Sequence, residues 1–466
     1  MKFRPFEELF EIPLRNGLTK PKRVRGEGYK MINMGELFGH SRMLNLPMDR
    51  VPLNEKEKSN SLVEAGDLLF ARQSLVRDGA GQCSIFIGDE EEVCFESHLI
   101  RCRLKKDLAN PLFYFYYFFS RAGKTAIDSI IEQGAGAAGI RGSDLCKVLV
   151  PDIDLEDQNK IAAIFDELDN KIELNRQINK TLEQIAQAIF KSWFVDFEPT
   201  RAKIAARKRW QAANDRVETS SPTCYADQFD SPQNAPTLEQ AMTRAAMAAI
   251  SGKTEQELDA LSEAQQQQLK ATADLFPDAL VESELGEIPE GWTLTRLDNF
   301  IDLNYGKALK KNDRIDGDFP VYGSGGIAGY HNTALVKGPG VIVGRKGTVG
   351  SIYWEDRNFY PIDTTYYLSV KNQCSLLFAY HLMETLGLER MNTDAAVPGL
   401  NRNNVYRIEV PEYPHRLIEI FTKVITPVSD KMVHSRDESH SLSLIRDNLL
   451  PKLLSGETPL LEMVDS

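Results

Sequence analysis

The chain has 466 residues, of which 42% are hydrophobic and 26% charged, and its formal net charge is −12. One hydrophobic core rarely organises this length, so we expect two or three domains. No run of eighteen apolar residues predicts a membrane span, and the opening MKFRPFEELF lacks the apolar core of a signal peptide, so we expect a cytoplasmic protein. The six cysteines form no C-x-x-C pair, which favours reduced thiols over a metal cage or disulfides.

The negative charge is concentrated in one part of the chain. Residues 151–285 carry 14 Lys and Arg against 24 Asp and Glu. In contrast, residues 1–150 carry 22 against 20, and residues 286–411 carry 13 against 14. Each of these two near-neutral segments could present a basic face, so the net charge does not exclude a nucleic-acid partner.

Residues 1–153 have the pattern of a mixed α+β domain. Short apolar stretches bounded by turn residues predict strands near 66–72, 83–88, 93–104 and 148–151. Between them, Asn110-Pro111 precedes the aromatic run 112–119, and this predicts a helix that begins at the proline.

Residues 154–198 are predicted to form a long helix that packs along a second helix. Apolar residues recur at alternating spacings of four and three, and two asparagines occupy the same narrow face. A shift of 260 residues aligns a second seam in the C-terminal segment without a gap. The alternative is an amphipathic helix that packs on its own globular domain. The predicted seam consists of Ile161, Phe165, Leu168, Ile172, Asn175, Asn179, Leu182 and Ile189 with Val428, Met432, Ser435, Ser439, Leu442 and Leu449.

The second half of the chain repeats the first after a linker or insert at residues 199–285. Within this insert, residues 219–236 have the composition of a loop, and residues 237–273 predict two short helices. Residues 286–411 then form a second domain, in which residues 351–353 echo residues 84–86. Residues 412–455 form the second long helix and residues 456–466 a tail. Because proline disrupts helices, we expect Pro427 to break or kink this helix, so that its straight part begins there and ends at Pro451.

Motifs that would carry catalysis are weak. Residues 323–329 resemble a glycine-rich phosphate loop but lack its Gly-Lys-Ser/Thr ending, so a tight turn between strands is the better interpretation. Residues 110–113 read Asn-Pro-Leu-Phe, similar to an adenine methyltransferase motif, yet no glycine-rich cofactor motif accompanies them. The histidines have no metal-ligand spacing. We therefore predict no catalytic residue and no metal site in this chain.

Basic and polar loops recur at equivalent places in both domains. Arg, Lys and Gln side chains reach phosphates and base edges, so these loops are candidates for DNA binding, although each one alone could be an ordinary solvated loop. The candidates are Lys20, Lys22, Arg23, Arg25, Arg72, Gln73 and Arg77 in the first domain, and Lys307, Lys310, Lys311, Arg314, Arg345, Lys346 and Thr348 in the second.

The whole chain closely resembles the specificity subunit of type I restriction-modification systems, the HsdS family. The resemblance is strongest in the two helices, in SWFVDFEP at residues 192–199 and in SELGEIPEGW at residues 283–292. It implies two target recognition domains that each read half of a bipartite duplex DNA sequence, joined by an antiparallel coiled coil that sets the spacing. It also implies two docked modification (methyltransferase) subunits and further restriction (nuclease-translocase) subunits. S-adenosylmethionine, ATP and magnesium would bind to those partners, with no cofactor in this chain.

Two other hypotheses remain open on the sequence alone. One is a coiled-coil scaffold that joins two protein-binding domains and has no DNA role; the other is a self-contained methyltransferase, disfavoured by the missing cofactor motif. If the helices act as a ruler for DNA, the 29 residues from Ile161 to Ile189 correspond to about 43 Å at 1.5 Å per residue, or roughly 13 base pairs.

Overall fold

The computed structural model describes residues 2–134, 136–218, 236–372, 374–391, 399–455 and 457. The chain divides into two compact units. Unit 1 comprises residues 1–176 and 436–466, and unit 2 comprises residues 177–435. Both boundaries between the units fall inside the long helices, so each unit contains one part of each helix.

The α-helices of the described residues are numbered in chain order: α1 Met34–Gly39, α2 Glu55–Ser61, α3 Pro111–Phe119, α4 Arg121–Asp128, α5 Gly142–Lys147, α6 Leu155–Phe194, α7 Glu198–Glu218, α8 Leu238–Ser251, α9 Glu255–Asp259, α10 Glu263–Ala273, α11 Leu376–Thr385, α12 Arg402–Tyr406 and α13 His415–Ser455.

The strands of unit 1 are β1 Phe3–Pro5, β2 Arg15–Asn16, β3 Tyr29–Ile32, β4 Arg42–Leu44, β5 Asp49–Val51, β6 Leu68–Ala71, β7 Gln73–Ser74, β8 Cys83–Gly88, β9 Val93–Phe95, β10 Leu99–Cys102, β11 Glu132–Gln133, β12 Ala138–Gly139 and β13 Leu149–Pro151. Those of unit 2 are β14 Leu280–Ser283, β15 Gly286–Pro289, β16 Leu294–Arg296, β17 Ile301–Tyr305, β18 Phe319–Gly323, β19 Gly326–His331, β20 Gly340–Gly344, β21 Ile352–Glu355, β22 Tyr360–Pro361, β23 Thr365–Val370 and β24 Glu409–Pro411.

The main sheets of the two units have the same strand order. Unit 1 has β2-β10-β6-β8, extended by β4, and unit 2 has β17-β23-β20-β21. A smaller pairing is also repeated, because β1 pairs with β13 in unit 1 as β16 pairs with β24 in unit 2. The predicted α+β class and internal duplication are therefore confirmed.

The strand register corrects one detail of the predicted repeat. Phe70 pairs with Cys83 in unit 1, and Val343 pairs with Ile352 in unit 2. Ile352 therefore corresponds to Cys83, and not to Ile85 as the sequence comparison suggested. The two similar tripeptides are displaced by two residues, which leaves the same faces of the strands buried because side chains alternate with a period of two.

The ends of the long helices complete the hydrophobic core of each unit. In unit 1, the aromatic helix α3 packs with the start of α6 and the end of α13; in unit 2, α11 packs with the end of α6 and the start of α13. The helix residues in these cores are related by the 260-residue shift: Ile161 with Phe421, Phe165 with Ile425, Phe190 with Leu450, and Trp193 with Leu453. The ends of the helices thus pack on globular domains, as the alternative interpretation expected.

Between these ends, the two helices contact each other in antiparallel order. In unit 1, Asp169 accepts from Arg446 at 2.8 Å, and Asn175 donates to Ser439 at 3.2 Å, so the partner number falls as the α6 number rises. In unit 2, Asn179 donates to the carbonyl of Met432 at 3.2 Å. Every predicted seam residue is buried or half-buried.

Two predictions about helices are wrong. Helix α13 begins at His415 and continues through both Pro427 and Pro451 to Ser455. Proline removes one backbone hydrogen bond, but burial of Ile425 and its neighbours in the core of unit 2 holds the helix together on both sides. After residue 236 the insert contains three helices, α8, α9 and α10, and not the predicted two. Its first part is also helical, because α7 extends to Glu218. The predicted loop at 219–236 lies, except for its last residue, outside the described residues, as does the tail apart from Glu457.

Candidate functional site

The two motifs that resemble catalytic sequences have local structural roles. Residues 323–326 form the turn between β18 and β19, in an antiparallel hairpin. The Asn110 side chain caps α3, because its Oδ1 accepts from the backbone N–H of Leu112 at 2.9 Å. Neither segment therefore needs a nucleotide or cofactor to explain it.

In unit 2, three backbone segments come together where the strands of the main sheet end. They are the end of β17, the end of β20 and the start of α12. The carbonyl of Thr364 accepts from the backbone N–H groups of Arg345 and Lys346, at 2.9 and 3.1 Å. The carbonyl of Arg345 in turn accepts from Leu400 at 2.8 Å. These bonds fix the two basic residues beside the first turn of α12.

The close approach of β17 to the neighbouring loop requires glycine. A Cβ atom on Gly306 would lie 2.1 Å from the carbonyl oxygen of Ile362. The same contact is made in unit 1, where a Cβ on Gly17 would lie 2.0 Å from the carbonyl oxygen of Phe95. Both domains thus use glycine to end this strand, immediately after Tyr305 in unit 2 and after Asn16 in unit 1.

A cavity of about 510 Å³ opens at this end of the sheet, beside the half-exposed ring of Tyr305. The guanidinium carbon of Arg345 lies 4.9 Å from the centre of that ring, and that of Arg402 lies 5.0 Å from it. Lys346 also lines the cavity, together with Asn401 and Asn403. Three cationic side chains therefore surround one concave, polar surface.

No described residue forms an ion pair with Arg345, Lys346 or Arg402. The two arginines are held by neutral acceptors instead: Arg345 Nη1 donates to the carbonyl of Asp363 at 3.1 Å, and Arg402 Nη1 to that of Leu303 at 3.4 Å. Burial raises the pKa of the adjacent Tyr366 hydroxyl, and the positive charge of Arg345 opposes that rise. The site is thus cationic and has no acidic partner in the described part of the chain.

The other predicted residues of unit 2 do not line this cavity. Lys307, Lys310 and Lys311 are exposed and form no ion pair with described residues. Arg314 donates to the carbonyl of Ala328 at 2.5 Å, which attaches it to β19. Thr348 is exposed, and its backbone N–H donates to Ser324 at 3.4 Å.

The predicted DNA-binding residues of unit 1 fall into two groups, those that form an ion pair within the protein and those that do not. Lys20 bonds to Glu57 and Arg25 to Asp49, and Arg77 bonds to Asp128, each at 2.8–2.9 Å. Three of the seven candidates therefore have an acidic partner within the protein, which explains their presence without DNA. The remaining four form no ion pair with described residues: Lys22, Arg23, Arg72 and Gln73.

Sequence reasoning missed two residues that define the unit 2 cavity, Tyr305 and Arg402. A signal for Arg402 existed, because the 260-residue shift aligns it with Gly142, and a long basic side chain in place of glycine marks a local difference between the repeats. For Tyr305, the strand register identifies Asn16 as the counterpart, since Asn16 pairs with Ile100 as Tyr305 pairs with Tyr366.

One group of side chains elsewhere in unit 2 has metal-ligand types: Glu183 from α6 with His381 and Glu384 from α11. Their polar atoms already bond within the protein. His381 contacts Glu384 at 3.2 Å, and the Glu183 carboxylate accepts from Tyr380 at 3.1 Å and from Gln187 at 3.2 Å. Burial raises the pKa of the Tyr380 hydroxyl, and the negative charges of Glu384 and Glu183 raise it further. This network connects α6 to α11, and we assign it a packing role.

Comparison with known proteins identifies the family of the chain. The family model described as "Type I restriction modification DNA specificity domain" matches residues 1–184 and 289–411. The chain belongs to this family. It is 29% identical over 433 residues to the Type I restriction enzyme HindI specificity subunit of Haemophilus influenzae, a match that covers 86% of this chain and 88% of that protein.

Two further relatives cover different shares of the chain. The Type I restriction enzyme MjaIX specificity subunit of Methanocaldococcus jannaschii is 37% identical over 86 residues, 18% of this chain and 20% of that protein. Among solved structures, the S subunit of a type I restriction-modification system from M. genitalium covers 97% of this chain and 95% of its own, with a TM-score of 0.49 and 17% identity.

Membership of this family decides between the hypotheses raised by the sequence. The chain is a DNA specificity subunit of the type I restriction-modification class, and it is not itself catalytic. It functions with DNA and with methylase and restriction subunits, and it needs no cofactor of its own. The scaffold without a DNA role and the self-contained methyltransferase receive no support. Among the helices of the described residues, we find none long and apolar enough to cross a membrane.

Proposed function

We propose that unit 1 and unit 2 each read one half of a bipartite duplex DNA target, and that the paired helices α6 and α13 set the spacer between the halves. The bound subunit would then direct adenine methylation and restriction by its partner subunits. The observation that carries this proposal is the cationic cavity of unit 2, where Arg345, Lys346 and Arg402 surround Tyr305 without an acidic partner in the described residues.

Physical chemistry connects this surface to DNA. DNA presents one negative charge per phosphate, and arginine binds phosphates and guanine edges with paired donors. Two similar domains with differently composed basic loops suit a target whose two halves differ in sequence. The four candidates of unit 1 without ion pairs, Lys22, Arg23, Arg72 and Gln73, would supply contacts to the other half.

The target is found by sequencing methylated sites in a host that carries this chain with its modification and restriction subunits. Binding of that duplex by the assembled methyltransferase complex is then measured for Arg345→Ala. We expect a loss of about 1–3 kcal/mol in binding free energy; if Arg345 reads a base, the change in sequence preference is confined to one half-site. Arg357→Ala is the matched control, because Arg357 is exposed in unit 2 but bonded to Glu355 at 3.0 Å. Unchanged binding by Arg345→Ala at matched salt would remove this residue from the interface.

We further propose that two modification subunits bind one copy of this chain. The internal duplication supports this stoichiometry, because each unit presents a similar domain packed on the ends of the same two helices. These partners would bind S-adenosylmethionine, and the restriction subunits ATP and magnesium, in the cytoplasm where the host DNA is located. Light scattering of the co-expressed complex should give the mass of two modification subunits and one specificity subunit. A mass corresponding to one modification subunit would contradict the proposal.

A further inference from the structure

We infer that the cavity beside Tyr305 is a phosphate site that holds one backbone phosphodiester of the half-site bound by unit 2. This inference rests on the proposed function and adds to it the chemical group that the cavity binds. In unit 1 the places of Tyr305 and Arg402 are taken by Asn16 and Gly142, so the two half-sites should differ in their dependence on a single phosphate.

The first argument is the uncompensated charge at the cavity. Arg345 and Arg402 contact the same ring, so their guanidinium carbons lie within about 10 Å of each other. Lys346 adds a third positive charge to the same surface. Like charges at this separation repel, and no carboxylate of the described residues pairs with any of them. A bound anion would relieve this repulsion.

The second argument is that the arginine side chains are held in place before any ligand binds. Each guanidinium is positioned by the Tyr305 ring and by one carbonyl, that of Asp363 for Arg345 and that of Leu303 for Arg402. The Nε of Arg402 is buried and has no hydrogen-bond partner among the described residues. Positioned donors lose little conformational entropy on binding, which favours a specific anion contact.

The third argument separates a phosphate from a base edge. Base edges are neutral, and a single bidentate arginine is enough to read a guanine. Three cations around one cavity would remain largely uncompensated if only a base edge entered it. A phosphodiester carries a full negative charge and accepts charge-assisted hydrogen bonds from several donors at once. The charge of the cavity therefore favours the phosphate.

The counterpart in unit 1 lacks this construction. Arg72 corresponds to Arg345, because the carbonyl of each accepts from the residue that precedes the N-cap of the following helix, Ile140 at 2.9 Å and Leu400 at 2.8 Å. However, the places of Tyr305 and Arg402 are taken by Asn16 and Gly142. No cation–π contact of Arg72 is found among the described residues, in contrast to Arg345 and Arg402.

The test uses the assembled methyltransferase complex and its mapped target duplex. Each phosphate is replaced in turn by an uncharged methylphosphonate, and the dissociation constant is measured at fixed salt. For the wild-type complex we expect one position, in one half-site, where the replacement weakens binding about tenfold or more. At that position Arg402→Ala and Lys346→Ala should respond much less to the replacement, because the contact is already lost. Arg72→Ala, the matched control in unit 1, should keep the wild-type response.

The outcomes separate this inference from the function on which it rests. Lys346 is exposed, so its substitution tests the site even if Arg402→Ala fails to fold. If the variants keep the wild-type methylphosphonate profile and instead accept a different base, the cavity reads a base and the inference is wrong, while the proposed function stands. If the wild-type complex binds no DNA specifically, both are wrong.

Discussion

Two asparagines in the helix seam differ in how completely their amide groups are satisfied. Asn175, in unit 1, donates to Glu438 at 2.8 Å and to Ser439 at 3.2 Å. Asn179, in unit 2, donates to the carbonyl of Met432, and its buried Oδ1 has no hydrogen-bond partner among the described residues. A buried polar atom without a hydrogen bond costs about 1–3 kcal/mol, so the two residues should contribute differently to stability.

The same substitution at both positions tests this difference. Asn179→Leu should raise the free energy of unfolding by about 1 kcal/mol, because it removes the unsatisfied oxygen and adds apolar contact. Asn175→Leu should lower it by about 1–2 kcal/mol, because Glu438 and Ser439 lose their donor. Urea unfolding of the full chain, followed by circular dichroism, measures both values. Shifts of the same sign and size would contradict the assignment of different roles.

At the scale of the element, the long helix α13 accommodates a proline that the sequence pattern treats as a helix end. Pro427 is exposed and lies between Ile425, which is buried in the core of unit 2, and the half-buried Val428. The apolar face is thus continuous on both sides of the proline. Packing of that face stabilises the helix more than one missing hydrogen bond destabilises it.

Substitution of this proline should therefore stabilise the protein. An interior proline disfavours a helix by about 3 kcal/mol relative to alanine, although relaxation of the backbone around Pro427 reduces the gain. We expect Pro427→Ala to raise the free energy of unfolding by about 1–3 kcal/mol in urea titrations. The neighbouring Thr426→Ala, also on the exposed face, serves as the control and should change it by less than about 0.7 kcal/mol. A loss of stability in Pro427→Ala would mean that the proline relieves a strain elsewhere in the helix.

At the scale of the whole molecule, the chain is a duplicated unit whose copies differ in the composition of their basic loops. The sheet order, the terminal strand pairing and the helix contacts are common to both copies. The pair of guanidinium groups on the Tyr305 ring is found in unit 2, and the described residues of unit 1 show no counterpart. This distribution suits a protein with a constant framework and two different recognition surfaces.

The helices α6 and α13 are the part of that framework expected to determine the DNA spacer. Insertion of seven residues into each helix, after Arg176 and after Ser435, keeps the seam in phase and adds about 10 Å at 1.5 Å per residue. The unread gap in the methylated sequence should lengthen by about 3 base pairs, with both half-sites unchanged. Sequencing of methylated sites measures the gap. A changed half-site with an unchanged gap would show that the helices do not determine the spacing.

The sequence by itself was sufficient for the features that depend on local pattern. The spacing of Ile161, Phe165 and Leu168 predicts a helix seam, and the 260-residue shift exposes the duplication, because core positions repeat wherever the same fold repeats. The helix start at Pro111 is also local, since Asn110 caps it from within the same turn. Such signals lie within a few residues, or at a constant offset, and need no knowledge of the tertiary fold.

Only the tertiary structure decided which basic residues form ion pairs within the protein. Lys20 is paired with Glu57, 37 residues later, and Arg77 with Asp128, 51 residues later, so neither charge is free although both lie in basic loops. Arg402 is almost a hundred residues from Tyr305 in the sequence, yet its guanidinium contacts the same ring as that of Arg345. Charge compensation depends on distance in space, which folding determines between residues far apart in the sequence, and no local pattern of the chain contains it.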